Sequence, residues 1–194
     1  HISGVCNIDK NVWVIVDEAF YKCKDLTGVI IPENVIVIGA GAFEYCESLC
    51  NVTIPENVVD IGVRAFGDCV NLDTVDFNAI HYINTKRYRR IFYQCYGIKT
   101  VNVGEKVEVI PDNLFYGCKN LAEISFPESV KTIGESAFSG CESLTSLTIP
   151  KNIKSIGAYA FSNCKALDVD KINCRFVYKC WLNLQRIRDP WGMF

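Results

Sequence analysis

The feature that most constrains this chain is a motif that returns every 23 residues. Successive units are spaced by 23, 23, 26, 23, 23 and 23 residues, and they begin at Ala19, Ala42, Ala65, Ile91, Leu114, Ala137 and Ala160. A fixed period of roughly 20–50 residues is typical of stacked units that share one continuous core. The repeat therefore predicts a solenoid of about seven 23-residue units over residues 1–175, with an irregular coil at 78–90.

Three apolar groupings recur in each unit, and each of them predicts a local structure. The first alternates apolar and polar residues, which is the period expected of a strand with one buried face. It predicts eight strands: Cys6–Ile8, Val29–Ile31, Val52–Ile54, Val75–Phe77, Val101–Val103, Ile124–Phe126, Leu147–Ile149 and Asp170–Ile172. The second, Val-x-x-Ile-Gly, ends in a glycine such as Gly39 that we expect at a turn with positive φ. The third, Ala-Phe-x-x-Cys-x-x-Leu, has the spacing of one helical or 3₁₀ turn. Its phenylalanines are predicted to stack along the core.

Cysteine is used in an ordered way along the repeat. The chain has 11 cysteines, and seven of them occupy one repeat position: Cys23, Cys46, Cys69, Cys95, Cys118, Cys141 and Cys164. Stacked at the strand spacing of about 4.8 Å, their parallel side chains have poor geometry for disulfide bonds. The pattern favours a buried ladder of small apolar side chains, with oxidised pairs or metal ligands as the alternatives.

The repeat pattern ends after Ile172, and residues 176–194 are predicted to form a C-terminal cap over the last coil. Val177, Trp181 and Leu184 share one face at helical spacing, and Pro190 stops the pattern, which together favour a helix. Cys174 precedes this segment and Cys180 lies within it, and these two cysteines are either a disulfide or free thiols.

The sequence offers no converging set of catalytic groups. It has two histidines, and a Cys–His nucleophile pair would have to use His81, which lies in the irregular coil. The cysteine spacings are not those of zinc sites, and the glycines recur with the turns instead of forming a phosphate-binding loop. We therefore expect a protein that is not an enzyme and that uses neither a cofactor nor a metal.

Charge is distributed unevenly, although the net charge is only −2. Residues 1–80 carry four basic and twelve acidic side chains, whereas residues 81–100 carry five basic and no acidic ones. A single basic segment without a surrounding basic face argues against nucleic acid as a partner. No apolar run reaches the ~18 residues of a membrane helix, so we expect no membrane insertion. We expect a monomer.

The irregular coil is the first of two candidate binding surfaces. Ile80 and Ile83 are predicted to fill its core positions, so that Thr85 to Arg90 bulge outward as an exposed basic patch. The candidate residues for binding a partner are Tyr82, Lys86, Arg87, Tyr88, Arg89 and Arg90. The alternative is that the arginines pair with nearby acids and only hold the irregular coil in place.

The second candidate surface is the outward stripe of the longer strands. Its residues are Thr53, Asp76, Asn102, Ser125 and Thr148. These side chains are small and polar, whereas binding hot spots are rich in Trp, Tyr and Arg. The stripe is therefore the weaker of the two candidates.

The repeat unit resembles the BspA-like leucine-rich repeat, whose pattern is L-x-x-I-x-I-P-x-x-V-x-x-I-G-x-x-A-F-x-x-C. The units that begin at Ala19, Ala42 and Ala137 match almost throughout, whereas the unit at Ile91 has Gly104 and Pro111 where proline and glycine belong. The resemblance implies a right-handed leucine-rich-repeat superhelix. It places a parallel β-sheet on the concave side and helical or 3₁₀ turns on the other.

The same resemblance bears on function. Proteins of this family are mostly surface or secreted proteins of host-associated bacteria and anaerobic protozoa, often linked to adhesion. It therefore implies a non-catalytic module, extracellular or on the cell surface, that binds a protein or a glycan. The alternative is a structural spacer, one segment of a longer surface solenoid. The start of the sequence inside a repeat unit, at Cys6-Asn7-Ile8, favours this alternative.

Overall fold

The computed structural model describes residues 2–83 and 89–168. Within these ranges, the alternating pattern forms one longer strand in each coil, because every second side chain is buried. With strands numbered in chain order, the longer strands are β1 (Gly4–Asn7), β3 (Leu26–Ile30), β5 (Asn51–Ile54), β7 (Thr74–Phe77), β8 (Thr100–Val103), β10 (Glu123–Ser125) and β12 (Ser146–Thr148). They begin one to three residues before the predicted strands. The strand predicted at 170–172 and the cap at 176–194 lie outside the described residues.

The second apolar grouping also forms strands, which the sequence pattern did not predict. These two-residue strands are β2 (Val14–Ile15), β4 (Val37–Ile38), β6 (Asp60–Ile61), β9 (Val109–Ile110), β11 (Thr132–Ile133) and β13 (Ser155–Ile156). In each of them the isoleucine is buried and its neighbour is more exposed. Each regular coil therefore contributes to two ladders instead of one.

All strand pairs are parallel and join repeat equivalents, as Thr53 faces Asp76 and, across the irregular coil, Val75 faces Val101. The longer strands form a ladder in the order β1-β3-β5-β7-β8, followed by the separate pair β10-β12. The short strands form two ladders, β2-β4-β6 and β9-β11-β13. The parallel solenoid that the repeat predicts is confirmed.

The core contains a column of phenylalanine rings, one from each unit. The rings stack with centroid separations of 4.9, 4.9, 5.2, 5.4, 5.6 and 5.4 Å, in the order Phe20, Phe43, Phe66, Phe92, Phe115, Phe138 and Phe161. Phe20, at the edge of the column, is half-buried, and the others are almost completely buried. The predicted phenylalanine stack is confirmed, and it links every coil to the next.

The Ala-Phe segments form successive tight turns, and the described residues contain no helix. Two residues in each unit have left-handed backbone conformations, one before the alanine position and one before the cysteine. In the unit at Ala137 they are Ser136 at φ 54° and Gly140 at φ 79°. A left-handed residue breaks the run of φ and ψ angles that a helix needs, so the predicted helical turn is not formed.

The glycine of the second grouping is required for a reason that differs from the predicted one. Gly39 and Gly62 do not have positive φ. A Cβ at Gly62 would lie 2.2 Å from the backbone nitrogen of Ala40, in the preceding coil, and one at Gly39 would lie 2.4 Å from that of Asp17. The neighbouring backbone therefore excludes any side chain, and close stacking of coils explains why glycine recurs.

The cysteine ladder forms as predicted, with six buried free thiols and a half-buried Cys23 at its edge. Each buried sulfur donates a hydrogen bond to the phenylalanine carbonyl oxygen of the preceding coil. The distances run from 2.8 Å between Cys95 Sγ and the oxygen of Phe66 to 3.9 Å between Cys118 Sγ and that of Phe92. The side chain thus serves both as apolar filling and as a weak donor.

Candidate functional site

The buried cysteines are poor candidates for catalysis. Burial raises the pKa of the Cys118 and Cys141 thiols well above the usual range, and it raises the pKa of Cys164 to about 12. The thiolate is the nucleophilic form, so these side chains are kept unreactive. His81 is exposed. Among the described residues, no group of three His, Cys, Asp or Glu side chains could hold a metal ion.

The outward stripe of the longer strands brings three predicted residues together around one carboxylate. Thr53 Oγ1 donates to Asp76 Oδ2 at 2.9 Å, and Asn102 Nδ2 donates to Asp76 Oδ1 at 2.7 Å. Both oxygens of Asp76 therefore already have partners within the protein. These hydrogen bonds join three neighbouring coils and leave little unused binding capacity.

Ser125 and Thr148, the other two predicted stripe residues, lie at an interruption of the ladder. β8 and β10 are not paired, and a shallow groove of about 480 Å³ lies along them. Lys99 and Glu123 also line this groove. Because its lining is small and polar, it lacks the aromatic anchors of a strong contact surface.

Arg89 occupies a different place from the predicted exposed patch. It is only 4% exposed, and its guanidinium binds the carboxylate of Asp60 and the backbone carbonyl of Ile61. In regular coils the corresponding carbonyl accepts from the next glycine N–H, as that of Ile38 accepts from Gly62 at 2.7 Å. The irregular coil has no such glycine, and among the described residues Arg89 is the donor to the carbonyl of Ile61. For this residue the alternative interpretation, pairing with a nearby acid, is the one observed.

Tyr82 is also turned toward the core. It is half-buried, and its ring meets that of Phe77 edge-on at 6.5 Å. Burial raises the pKa of Tyr82 to about 12. Ile83, which the sequence places in the core, is 56% exposed instead, because Tyr82 takes up that space. Three further candidates, Lys86, Arg87 and Tyr88, lie outside the described residues.

A second groove, on the turn side of the solenoid, was not predicted from the sequence. It has a volume of about 400 Å³, and we call it the tyrosine groove after three of its lining residues, Tyr93, Tyr96 and Tyr116. Tyr93 and Tyr116 directly follow stacked phenylalanines, so the core fixes their backbone. The groove is also lined by Gln94, Gly117, Lys119, Ser139, Gly140, Glu142, Asn163 and Lys165.

Glycines at two left-handed positions leave the groove open. Gly117 and Gly140 have φ of 78° and 79°, whereas most units carry a larger residue there, such as Tyr45 or Gln94. A Cβ at Gly117 would meet nothing within 4 Å. Two sequence features mark this groove. Tyrosine follows the core phenylalanine in two successive units, at Tyr93 and Tyr116, and glycine precedes the cysteine in two successive units, at Gly117 and Gly140.

Cations cover the ring faces of the tyrosine groove. The guanidinium carbon of Arg90 lies 4.2 Å from the ring centroid of Tyr116 and 5.6 Å from that of Tyr93. Lys119 Nζ lies 5.4 Å from the ring of Tyr96. Arg90 is thus the predicted candidate that the structure places beside partly exposed aromatic side chains.

Comparison with known proteins identifies the repeat. A family model described as BspA type Leucine rich repeat region matches residues 13–89 and 85–179 in six copies. A leucine-rich repeat protein from Bacteroides ovatus has 30% identity and a TM-score of 0.70 over 84% of this chain and 41% of its own. One from Eubacterium ventriosum has 26% identity and a TM-score of 0.70 over 84% of this chain and 43% of its own.

A leucine rich cell surface protein from Faecalibacterium prausnitzii has the same fold. It has 22% identity and a TM-score of 0.54 over 94% of this chain and 62% of its own. The chain thus spans less than half the length of the Bacteroides and Eubacterium relatives. A comparison with curated proteins finds no match. No helix in the described part of the chain is long and apolar enough to span a bilayer.

Proposed function

This chain belongs to the BspA type leucine-rich repeat family, and we propose that it is a non-catalytic binding module that recognises a protein or a glycan. We place it outside the cell, as the similarity to a bacterial cell surface protein supports. The module acts as a monomer without a cofactor. Its buried thiols and its internally paired Asp76 support a role that depends on surface contacts.

The tyrosine groove is the observation that carries this proposal. Tyrosine and arginine are enriched among the residues that dominate binding energy, and this surface combines Tyr93, Tyr96 and Tyr116 with Arg90. Tyr96 is 38% exposed, so its ring is available to a partner. The outward stripe of the longer strands offers no comparable cluster.

Binding can be tested on a glycan array and with a displayed library of random dodecapeptides. We expect at least one ligand from these two probes, and the double variant Tyr93→Ala/Tyr116→Ala should weaken its binding by about tenfold or more. The matched control is Tyr21→Ala/Tyr45→Ala, which removes an edge-to-face tyrosine pair at 5.7 Å from the turn segments of two earlier units. Equal binding by both double variants would contradict the assignment of the groove.

The alternative function, a structural spacer, is favoured by a different observation. The outer edge of the first coil exposes apolar side chains, with Trp13 at 63%, Val16 at 62% and Val5 at 60%. Such an edge is suited to stacking against a further coil. The same experiment separates the two functions, because a spacer should recover no ligand from either probe.

A further inference from the structure

The strongest unexplained feature of the tyrosine groove is the charge of Arg90. We propose that the groove binds a carboxylate-bearing peptide segment of a protein partner, and that Arg90 is its anchor. The inference rests on the proposed function and adds the chemical class of the ligand.

The first argument is a comparison of two arginines in the same repeat position. Arg64 and Arg90 each precede a unit start and have left-handed φ of 52° and 41°. Arg64 is neutralised, because its guanidinium binds the carboxylates of both Glu44 and Asp68. Within residues 2–83 and 89–168, no acidic side chain pairs with Arg90.

The second argument is that the guanidinium of Arg90 is already held in place. It lies over the rings of Tyr116 and Tyr93, at 4.2 and 5.6 Å from their centroids. Stacking on aromatic rings restrains the planar group, and because its Nε is buried, the edge formed by its two terminal nitrogens is the one that remains as a donor. A carboxylate accepts two parallel hydrogen bonds from such an edge, which makes it a specific complement to Arg90.

The third argument selects a peptide over a sugar. A saccharide binds aromatic side chains chiefly through the open ring face, and here cations already cover those faces: Arg90 on Tyr116, Arg64 on Tyr93 at 4.8 Å, and Lys119 on Tyr96. Tyr96 is 38% exposed and the other two tyrosines are partly exposed, so the parts of the rings that cations do not cover can meet peptide backbone and side chains.

The other charged side chains of the groove also give it an excess of positive charge. Glu142 is bracketed by Lys165 at 2.7 Å and Lys119 at 3.8 Å. The hydrogen bond from Lys165 and the charges of both lysines hold the pKa of Glu142 below its usual range, so this carboxylate stays ionised. With Arg90 included, three cations face one anion. A negatively charged segment is therefore attracted, and the attraction weakens as salt is raised.

The test is a double-mutant cycle with peptides from the dodecapeptide library. Selected peptides should share an Asp or Glu, and its replacement by Asn or Gln should weaken binding to the intact chain by about tenfold. Arg90→Gln should cause the same loss, and the two changes together should cause little more than either alone. Arg90→Lys should lie between, since an ammonium keeps the charge but loses the paired donors.

Lys22→Gln is the control, since it removes a cation that lies over the rings of Tyr21 and Tyr45, outside the groove; it should change affinity by less than about twofold. Selected peptides without a carboxylate, or ones that bind equally to Arg90→Gln, would overturn the inference. The proposed function would still stand if Tyr93→Ala/Tyr116→Ala abolished that binding. Tighter binding of an oligoglucuronate than of any peptide would overturn it in favour of a glycan. Groove-dependent self-association in sedimentation velocity would overturn it in favour of a second copy.

Discussion

At the scale of single residues, the cysteine ladder shows why one side chain suits a position that recurs in every unit. The site is buried and faces a carbonyl of the preceding coil. Cys69 Sγ, for example, lies 3.1 Å from the carbonyl oxygen of Phe43. A thiol fills the volume of a small hydrophobe and can donate weakly to that oxygen. Alanine would fill less volume, and aspartate would place an unpaired charge in the core.

The buried thiols should make the fold sensitive to alkaline pH. Burial raises the pKa of the Cys118 and Cys141 thiols well above the usual range in the folded state, and that of Cys164 to about 12. In the unfolded chain a thiol titrates near pH ~8.5. Below that pH both states are protonated and the stabilising contribution is complete. As pH rises further, only the unfolded chain loses protons, so the free energy of unfolding falls by up to about 1.4 kcal/mol per pH unit for each thiol.

Urea unfolding between about pH 7 and pH 10.5 measures this effect. The midpoint should be nearly constant at first and should then fall steeply. Cys118→Ala should lower stability by about 1 kcal/mol at neutral pH through its lost volume, yet it should show a shallower alkaline slope. Lysines and tyrosines titrate in the same range but are present in both proteins, so the difference in slope isolates Cys118. Identical slopes would show that Cys118 is not protected.

At the scale of elements, the irregular coil shows how a repeat tolerates a defect. No short strand pairs with β6 on its far side among the described residues. There the side chain of Arg89 donates a hydrogen bond to the carbonyl of Ile61. The same guanidinium binds Asp60, whose carboxylate is 42% exposed. One long side chain thus closes the end of a sheet that would otherwise leave a buried carbonyl unsatisfied.

Arg89→Ala should therefore lower the free energy of unfolding by about 2–3 kcal/mol, because the carbonyl of Ile61 loses its donor and a buried volume is left empty. Arg89→Lys should recover part of this loss, since one ammonium group cannot reproduce the paired geometry. Arg90→Ala, at the adjacent position, should cost less than about 1 kcal/mol because its guanidinium has no ion pair to lose. Urea denaturation provides all three values. Equal stability of Arg89→Ala and the unchanged protein would contradict this role.

At the scale of the whole molecule, the features that recur in every unit could be predicted from the sequence, whereas the features that occur in one or two units could not. The period, the stacked phenylalanines and the cysteine ladder all involve positions that are repeated in every coil. Each such residue therefore has the same surroundings as its equivalents in the other coils. Arg89 and Tyr82 occur once, in an irregular coil, and their burial depends on how neighbouring coils fill that gap. The tyrosine groove likewise needs a tyrosine from one unit beside glycines of the next two. Such a juxtaposition is a property of stacking and is not visible in any one unit.

The two interruptions of the ladders are offset along the solenoid. In the part of the chain that the structure describes, the short-strand ladder stops between β6 and β9, whereas the longer-strand ladder stops between β8 and β10. The phenylalanine column crosses both, with Phe92 5.2 Å from Phe66 and 5.4 Å from Phe115. Because solenoid stability is a sum of nearest-neighbour interfaces, Phe92 is the side chain that couples the two halves.

We therefore expect the protein to unfold in one cooperative transition and Phe92→Ala to split it into two. The substitution should cost about 3–5 kcal/mol at the weakest interface, so that residues 26–77 and residues 107–161 lose their coupling. Phe43→Ala is the matched control: its ring is stacked at 4.9 Å on both sides, between coils whose ladders are both continuous. It should lower stability by a similar amount while keeping a single transition. Hydrogen exchange with mass spectrometry along a urea titration follows the two segments separately, and coincident curves for them in Phe92→Ala would show that the ladders alone hold the solenoid together.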